Sequence, residues 1–220
     1  MNVLSAGAAK GLLHAIAKQA GIAIAGEFGA VGAMRDRLFA GAPCDVIVLT
    51  DAMIADLAAA GKIELKSVVS LGNVRTGVAL LSAAQPRSVS SAAALKDVLS
   101  NASRIYFPDP LRATAGIHFM KVLTALGLAQ SHSARFATYP NGAAAMRAMA
   151  DAGDVNAVGV TQASEIMYTE GVQYVGALPG EYALATGYSA ASVQREKGHA
   201  LMSALGAAEH LDVRLRAGFE

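Results

Sequence analysis

Cysteine is almost missing from this chain, and the single Cys44 among 220 residues can neither close an internal disulfide nor build a cysteine zinc site. Set in Pro43-Cys44-Asp45-Val46-Ile47-Val48, it reads as a small buried hydrophobe rather than a reactive thiol. Charge of one sign is missing too. With 18 Lys and Arg against 17 Asp and Glu, and charged residues at 16%, no basic field exists to track a phosphate backbone, so nucleic acid is not an expected partner. Long apolar runs are also absent. The mean hydropathy is +0.39, yet every apolar stretch is broken by charge, Gly or Pro before the roughly 20 residues of a spanning helix. No membrane span is expected. Met1-Asn2-Val3-Leu4-Ser5 enters a strand at once, without the basic and apolar segments of an export signal. The sequence as written therefore fits a cytoplasmic protein, or a mature exported chain given a new Met.

What the chain does have is an alternation of short apolar runs and helical patterns, the mark of an α/β protein with largely parallel strands covered on both faces. The length allows one ordinary domain or two lobes of about 100 residues each. Strands are predicted at Val3 to Ser5, Ile22 to Glu27, Asp45 to Leu49, Arg104 to Phe107, Arg135 to Thr138, Ala157 to Thr161 and Gln173 to Gly176. Ala8 to Gln19 and Ala115 to Leu126 carry apolar residues at helical spacing. Two extended stretches, Lys66 to Ser82 broken at Gly72-Asn73 and Tyr182 to Ser189, suit two strands crossing between lobes. A helix from about Ser192 and a last one from Ala207 to Arg216 follow.

Ligands of open α/β sheets gather at the carboxyl ends of strands, where helix amino ends offer unpaired amides and partial positive charge. Three such junctions are rich in small residues: Ser5 to Lys10, Phe28 to Ala33 and Pro108 to Gly116. They suit an anion held by backbone amides. Arg112, before a helix start, can add a bidentate contact to a carboxylate, or can be a solvated Arg beside Asp109. Thr114 is expected as the N-cap. Thr161, Gln162, Ser164 and Glu165 place four polar side chains at one strand end, more than capping requires. His118 falls one turn inside a helix and suits packing, or acid–base work if it faces a ligand. No nucleophile elbow, phosphate loop or dinucleotide fingerprint is present. His14, His118, His132, His199 and His210 are too scattered for a metal site, so neither metal nor cofactor is expected.

The runs Val3 to Ala9, Phe28 to Met34, Ala40 to Val46 and Asp109-Pro110 through Ile117, closing on Arg216-Ala217-Gly218-Phe219, resemble in order and spacing the molybdate-binding class of periplasmic solute-binding proteins. The resemblance covers essentially the whole chain. It implies a two-lobed periplasmic-binding-protein type II fold, each lobe a mixed, mainly parallel sheet flanked by helices. Lobe 1 would be residues 1–78 and 186–220, lobe 2 residues 79–185, with the ligand in a cleft between them. It implies a periplasmic monomer and an ABC transporter permease as partner. The implied ligand contacts are Gly7, Ala8, Ala9, Ala30, Val31, Arg112, Thr114, Ala115, Thr161 and Gln162.

Molybdate-binding members use a Ser hydroxyl in each of the first two loops and a Tyr after the late strand. Here Ala8 and Val31 stand at the Ser positions, and Thr161 or Gln162 at the Tyr position. Losing two hydroxyls costs several kcal/mol, at roughly 1.5 to 3 for each hydrogen bond to a charged group. An organic carboxylate is therefore expected rather than molybdate.

The second half, Gly159-Val160-Thr161-Gln162-Ala163-Ser164-Glu165-Ile166 with Val175 to Glu181, also resembles solute-binding-like proteins that include aconitate isomerase. This implies an alternative, a metal-independent allylic proton shift on a tricarboxylate. Glu165 and His118 are then the residues to test as base or acid, and Arg112 as a carboxylate clamp. A third reading is an effector-sensing module of the same fold.

Overall fold

The computed structural model describes residues 1–193 and 195–220, apart from the side chains of Arg195 and Glu196. In chain order the elements are β1 (Asn2–Ala6), α1 (Lys10–Gln19), β2 (Ala25–Gly29), α2 (Val31–Phe39), β3 (Val46–Thr50), α3 (Asp51–Ala59) and β4 (Val69–Leu81). There follow α4 (Ala92–Ser100), β5 (Ile105–Pro108), α5 (Thr114–Ala125), β6 (Phe136–Tyr139), α6 (Gly142–Ala152), β7 (Val158–Gln162) and α7 (Ala163–Met167). The chain closes with β8 (Val172–Ala177), β9 (Ala185–Ser192), α8 (Arg195–Gly206) and α9 (Leu211–Arg216). It divides into two compact units, Met1–Val74 with Thr186–Glu220, and Arg75–Ala185. The chain passes between them within β4 and at the start of β9.

In the first unit β1 lies between β2 and β3, parallel to both, and β9 runs antiparallel to β3. Both faces of β1 and β3 are buried, as parallel strands under helices require. Helix α1 sends Leu12, Leu13, Ile16 and Ala17 into this core, and Phe219 joins it edge-on to Tyr188 at 6.0 Å. In the second unit the strand order is β8-β4-β7-β5-β6, with β5 parallel to β6 and β7 and with β4 antiparallel to β7 and β8. Phe107 centres that core, edge-on to Phe119 at 5.3 Å and to Phe136 at 5.5 Å. The fold is the mixed α/β architecture, mainly parallel sheet flanked by helices, to which the sequence points.

Local departures from the expectations have local causes. Strand β2 starts at Ala25 rather than Ile22, because the Ile22 amide closes the end of α1 on the Ala17 carbonyl at 2.8 Å. The first helix begins as a 3-10 turn at Gly7–Ala9 and becomes α-helical at Lys10. The expected break at Gly72-Asn73 does not occur. Glu220 exchanges two 2.8 Å backbone hydrogen bonds with Asn73, and Gly72, at φ +112, leaves room for the Glu220 carbonyl, so β4 runs unbroken. Residues Gly180–Tyr182 form a 3-10 turn, and the second crossing strand starts at Ala185. Ser192 ends β9 instead of starting a helix, and Gln194, between it and α8, lies outside the described residues. The last helix is split into a 3-10 turn, Ala208–His210, and α9. No helix among the described residues is long and apolar enough to cross a membrane.

Candidate functional site

The three loops singled out above share one feature, a helix start without a side-chain cap. In the first unit, β1 leads through the buried turn Gly7, Ala8 and Ala9 into α1, whose N-cap Ala9 offers no side-chain acceptor. Strand β2 leads into α2, where the N-cap is Ala30 and the first residue is the buried Val31. In the second unit α5 begins at Thr114 behind the N-cap Ala113. Thr114 is therefore the first helical residue and not the cap, and no side chain bonds the amides of that turn. Its helical backbone takes the hydroxyl away from the position at which a cap accepts. By contrast Thr50, Ser91 and Asn141 cap α3, α4 and α6, accepting from the amides of Met53, Ala94 and Ala144. The first turns of α2 and α5 thus keep donors and partial positive charge for another acceptor, whereas α1 continues the 3-10 turn, whose Gly7 carbonyl already takes the Lys10 amide.

Neither loop of the first unit brings a hydroxyl to that position. Ala8 and Val31 are buried apolar residues, and the Ser5 hydroxyl is spent on the adjacent Ala6 carbonyl at 2.9 Å. Cys44 is inert, since its Sγ–H faces the Val46 carbonyl at 3.3 Å and burial pushes the thiol up to about 11.

In the second unit Arg112 is exposed and makes no ion pair with Asp109, whose Oδ1 accepts from the Leu111 amide at 2.7 Å. Ala115 is buried in the first turn of α5. His118 stands half-buried, with Nε2 2.8 Å from the Tyr182 carbonyl. A carbonyl only accepts, so Nε2 carries the proton and Nδ1 is the nitrogen free to accept.

Thr161 and Gln162 end β7, and both are buried. Gln162 pairs in register with Thr76 of β4, so the two side chains share one face of the sheet. The Thr76 hydroxyl is buried there without a hydrogen-bond partner, and so, in α7, is the Ser164 hydroxyl. Thr161 points to the other face, where its hydroxyl donates to Glu165 Oε2 at 2.6 Å. Glu165 Oε1 accepts from the Ala143 amide at 3.3 Å, in the first turn of α6. Burial raises the carboxyl above its ordinary value, while the Thr161 hydroxyl and the amides of Ala143, Gln162 and Gly142 oppose that shift.

The structure therefore brings Thr161 and Glu165 together and leaves Arg112, His118 and Glu165 without a hydrogen bond among them. The Asn141-Gly142-Ala143 turn escaped the sequence reading. Its signal was an Asn before Gly142-Ala143-Ala144-Ala145-Met146, an N-cap ahead of a helical run. Among the described residues no group of three His, Cys, Asp or Glu side chains is placed to share a metal ion.

Known proteins match the whole of this architecture. A periplasmic molybdate-binding protein of Azotobacter vinelandii superposes with a TM-score of 0.76 at 22% identity, covering 100% of this chain and 98% of its own. A sulfate-binding protein of Mycobacterium tuberculosis does so at 0.69 and 15% identity, covering 100% and 85%. Aconitate isomerase of a Pseudomonas species is 26% identical over 209 residues, 90% of this chain and 77% of that enzyme. The model of a family described as bacterial extracellular solute-binding protein matches residues 1–220, and the chain belongs to that family.

Proposed function

We propose that this protein binds a small organic carboxylate at the uncapped amino end of α5, assisted by Arg112, and delivers it to an ABC transporter permease. The observation that carries this reading is the split among the helix starts. Helices α2 and α5 begin on Ala with no side-chain acceptor, at loops that also resemble the family's ligand loops, while three others are filled by Thr50, Ser91 and Asn141. Amides left without a cap are donors for an anion. The apolar Ala8 and Val31 speak against a tetrahedral oxyanion that needs hydroxyl donors on several sides. Arg112 supplies the planar fork that matches a carboxylate.

Isothermal calorimetry with trans-aconitate, citrate, sulfate and molybdate tests this. The carboxylates should bind and the oxyanions should not; binding of molybdate alone would overturn the choice of ligand. Arg112→Ala should weaken carboxylate binding about tenfold, the size of one charged hydrogen bond, and leave the melting temperature unchanged.

The isomerase relative supports a second reading, in which the bound tricarboxylate also undergoes an allylic proton shift. Glu165 is poorly disposed for the base, being buried against Thr161, and only Nδ1 of His118 is available. A proton NMR time course of the chelator-washed protein with trans-aconitate separates the readings. Line broadening without conversion is the expected result, and appearance of cis-aconitate would establish the enzyme.

A further inference from the structure

Thr76 lies on the sheet face that α5 covers. Phe107 of β5 packs edge-on against Phe119 of α5, so its neighbour Tyr106 points to the opposite face. Tyr106 is in register with Gly159 of β7, where a Cβ would meet Met146 and Met149 of α6. Thr161 shares that α6 face, since a Cβ at Gly142, the first residue of α6, would run into both Thr161 Oγ1 and Glu165 Oε2. Val160 and Gln162 therefore face α5, and Thr76 of β4, in register with Gln162, faces it with them.

Thr76 also lies at the end of the sheet where α5 begins. Carried on from Tyr106 and Gly159, the register brings Asp109 level with Gln162. A Cβ at Gly116 would meet the carbonyls of Pro108 and Asp109, so the first turn of α5 rests on that end of β5. The uncapped helix end, Gln162 and Thr76 thus stand on three successive strands, β5, β7 and β4. The Thr76 backbone is fully engaged, its amide on the Leu184 carbonyl at 2.9 Å and its carbonyl on the Leu178 amide at 3.0 Å. Its side chain is 0% exposed, and the hydroxyl has no hydrogen-bond partner. A valine of the same shape would suit this strand position without leaving a hydroxyl unsatisfied. Ser164, just past Gln162 in α7, is a second hydroxyl buried in the same state. Such groups are uncommon in folded proteins and call for a partner that arrives.

We propose that Thr76 is a ligand-binding residue: with one ligand carboxylate on the first turn of α5, the Thr76 hydroxyl donates to a second oxygen group of the same molecule. Gln162, its neighbour on that face, turns aside to admit it. Strands β4 and β5 are two strand spacings apart, about 10 Å, too far for the oxygens of a single-centre oxyanion to meet both. The ligand class is a chain with two separated oxygen groups, a di- or tricarboxylate. This inference rests on the carboxylate-binding reading, and the buried hydroxyl is independent of the uncapped helix end.

The test is calorimetry and thermal melting of the full chain, Thr76→Val and Thr76→Ser, with trans-aconitate as probe. Thr76→Val keeps the shape and removes the unsatisfied group, so without ligand it should melt no lower than the parent. Its affinity for trans-aconitate should fall about tenfold, while Thr76→Ser, which keeps the hydroxyl, should retain most of the parent affinity. Parent-like affinity in Thr76→Val would overturn the proposal and leave the carboxylate-binding reading standing. A lower melting temperature of ligand-free Thr76→Val would overturn it too, because the hydroxyl would then serve the fold. Equal losses of affinity in both variants would assign the effect to packing and do the same. Absence of trans-aconitate binding by the parent protein would overturn the functional reading and this proposal together.

Discussion

Helices α5 and α6 sit in the same unit, each follows a parallel strand, and their amino ends are treated in opposite ways. The first turn of α6 has an Asn141 cap on the Ala144 amide at 2.9 Å and the Glu165 carboxyl on Ala143. That of α5 has Ala113 at the cap, Thr114 with its hydroxyl outside the capping position, and an exposed Arg112 just before it. A helix end satisfied from within serves stability, whereas one left unsatisfied keeps its donors for something that arrives. The contrast lies in an absence of side chains, which no single residue of α5 announces.

The strongest way to break the filled end is Gly142→Ala. The added methyl displaces Thr161 and Glu165 together, and the expected loss is about 3 kcal/mol in urea unfolding, the upper range for overpacking. A loss under 1 kcal/mol would mean that the network yields easily. A gentler probe is pH. The folded protein holds the Glu165 proton to higher pH than the ordinary 4.5 of the unfolded carboxyl, so it binds more protons than the unfolded chain above that value. The Glu165 contribution to stability therefore falls as pH rises through that window. Thermal melts of Glu165→Gln should lack this component of the slope, and parallel curves for parent and variant would remove it. The smallest effects come from exchanging the two ends. Asn141→Ala should cost about 1 kcal/mol, as caps generally do. Ala113→Ser should stabilise the ligand-free protein by somewhat less and weaken carboxylate binding, because the new hydroxyl competes for the amides of α5. Unchanged binding in Ala113→Ser would show that those amides are not used.

The frame of this contrast was legible in the sequence, and its filling was not. Apolar runs such as Val46-Ile47-Val48 and helical spacing such as Leu12, Leu13, Ile16 mark their elements because burial on both faces leaves a local pattern. Boundaries moved where a distant partner intervened, as when Glu220 carries β4 through Asn73. Thr114 was misread because a hydroxyl before a helical run suits both the cap and the first turn, and only the backbone angles of Ala113 decide between them. Glu165 has the same difficulty in stronger form. As a carboxylate beside a polar strand end it looks like chemistry, and what makes it a helix partner is Gly142, 23 positions earlier, whose missing side chain says nothing by itself.

Cys44 supplies a clock for the other half of the molecule. Its thiol is 5% exposed and raised to about 11, so at neutral pH a thiol reagent reaches it only when the segment before β3 opens. Since the chain has one cysteine and it lies in the first unit, the labelling rate reports opening there alone. Variants of Gly142, Glu165 and Asn141 can thus be sorted by whether their damage stays local: a protein melted in its second unit but still slow to label would show that the two units lose their structure in separate steps.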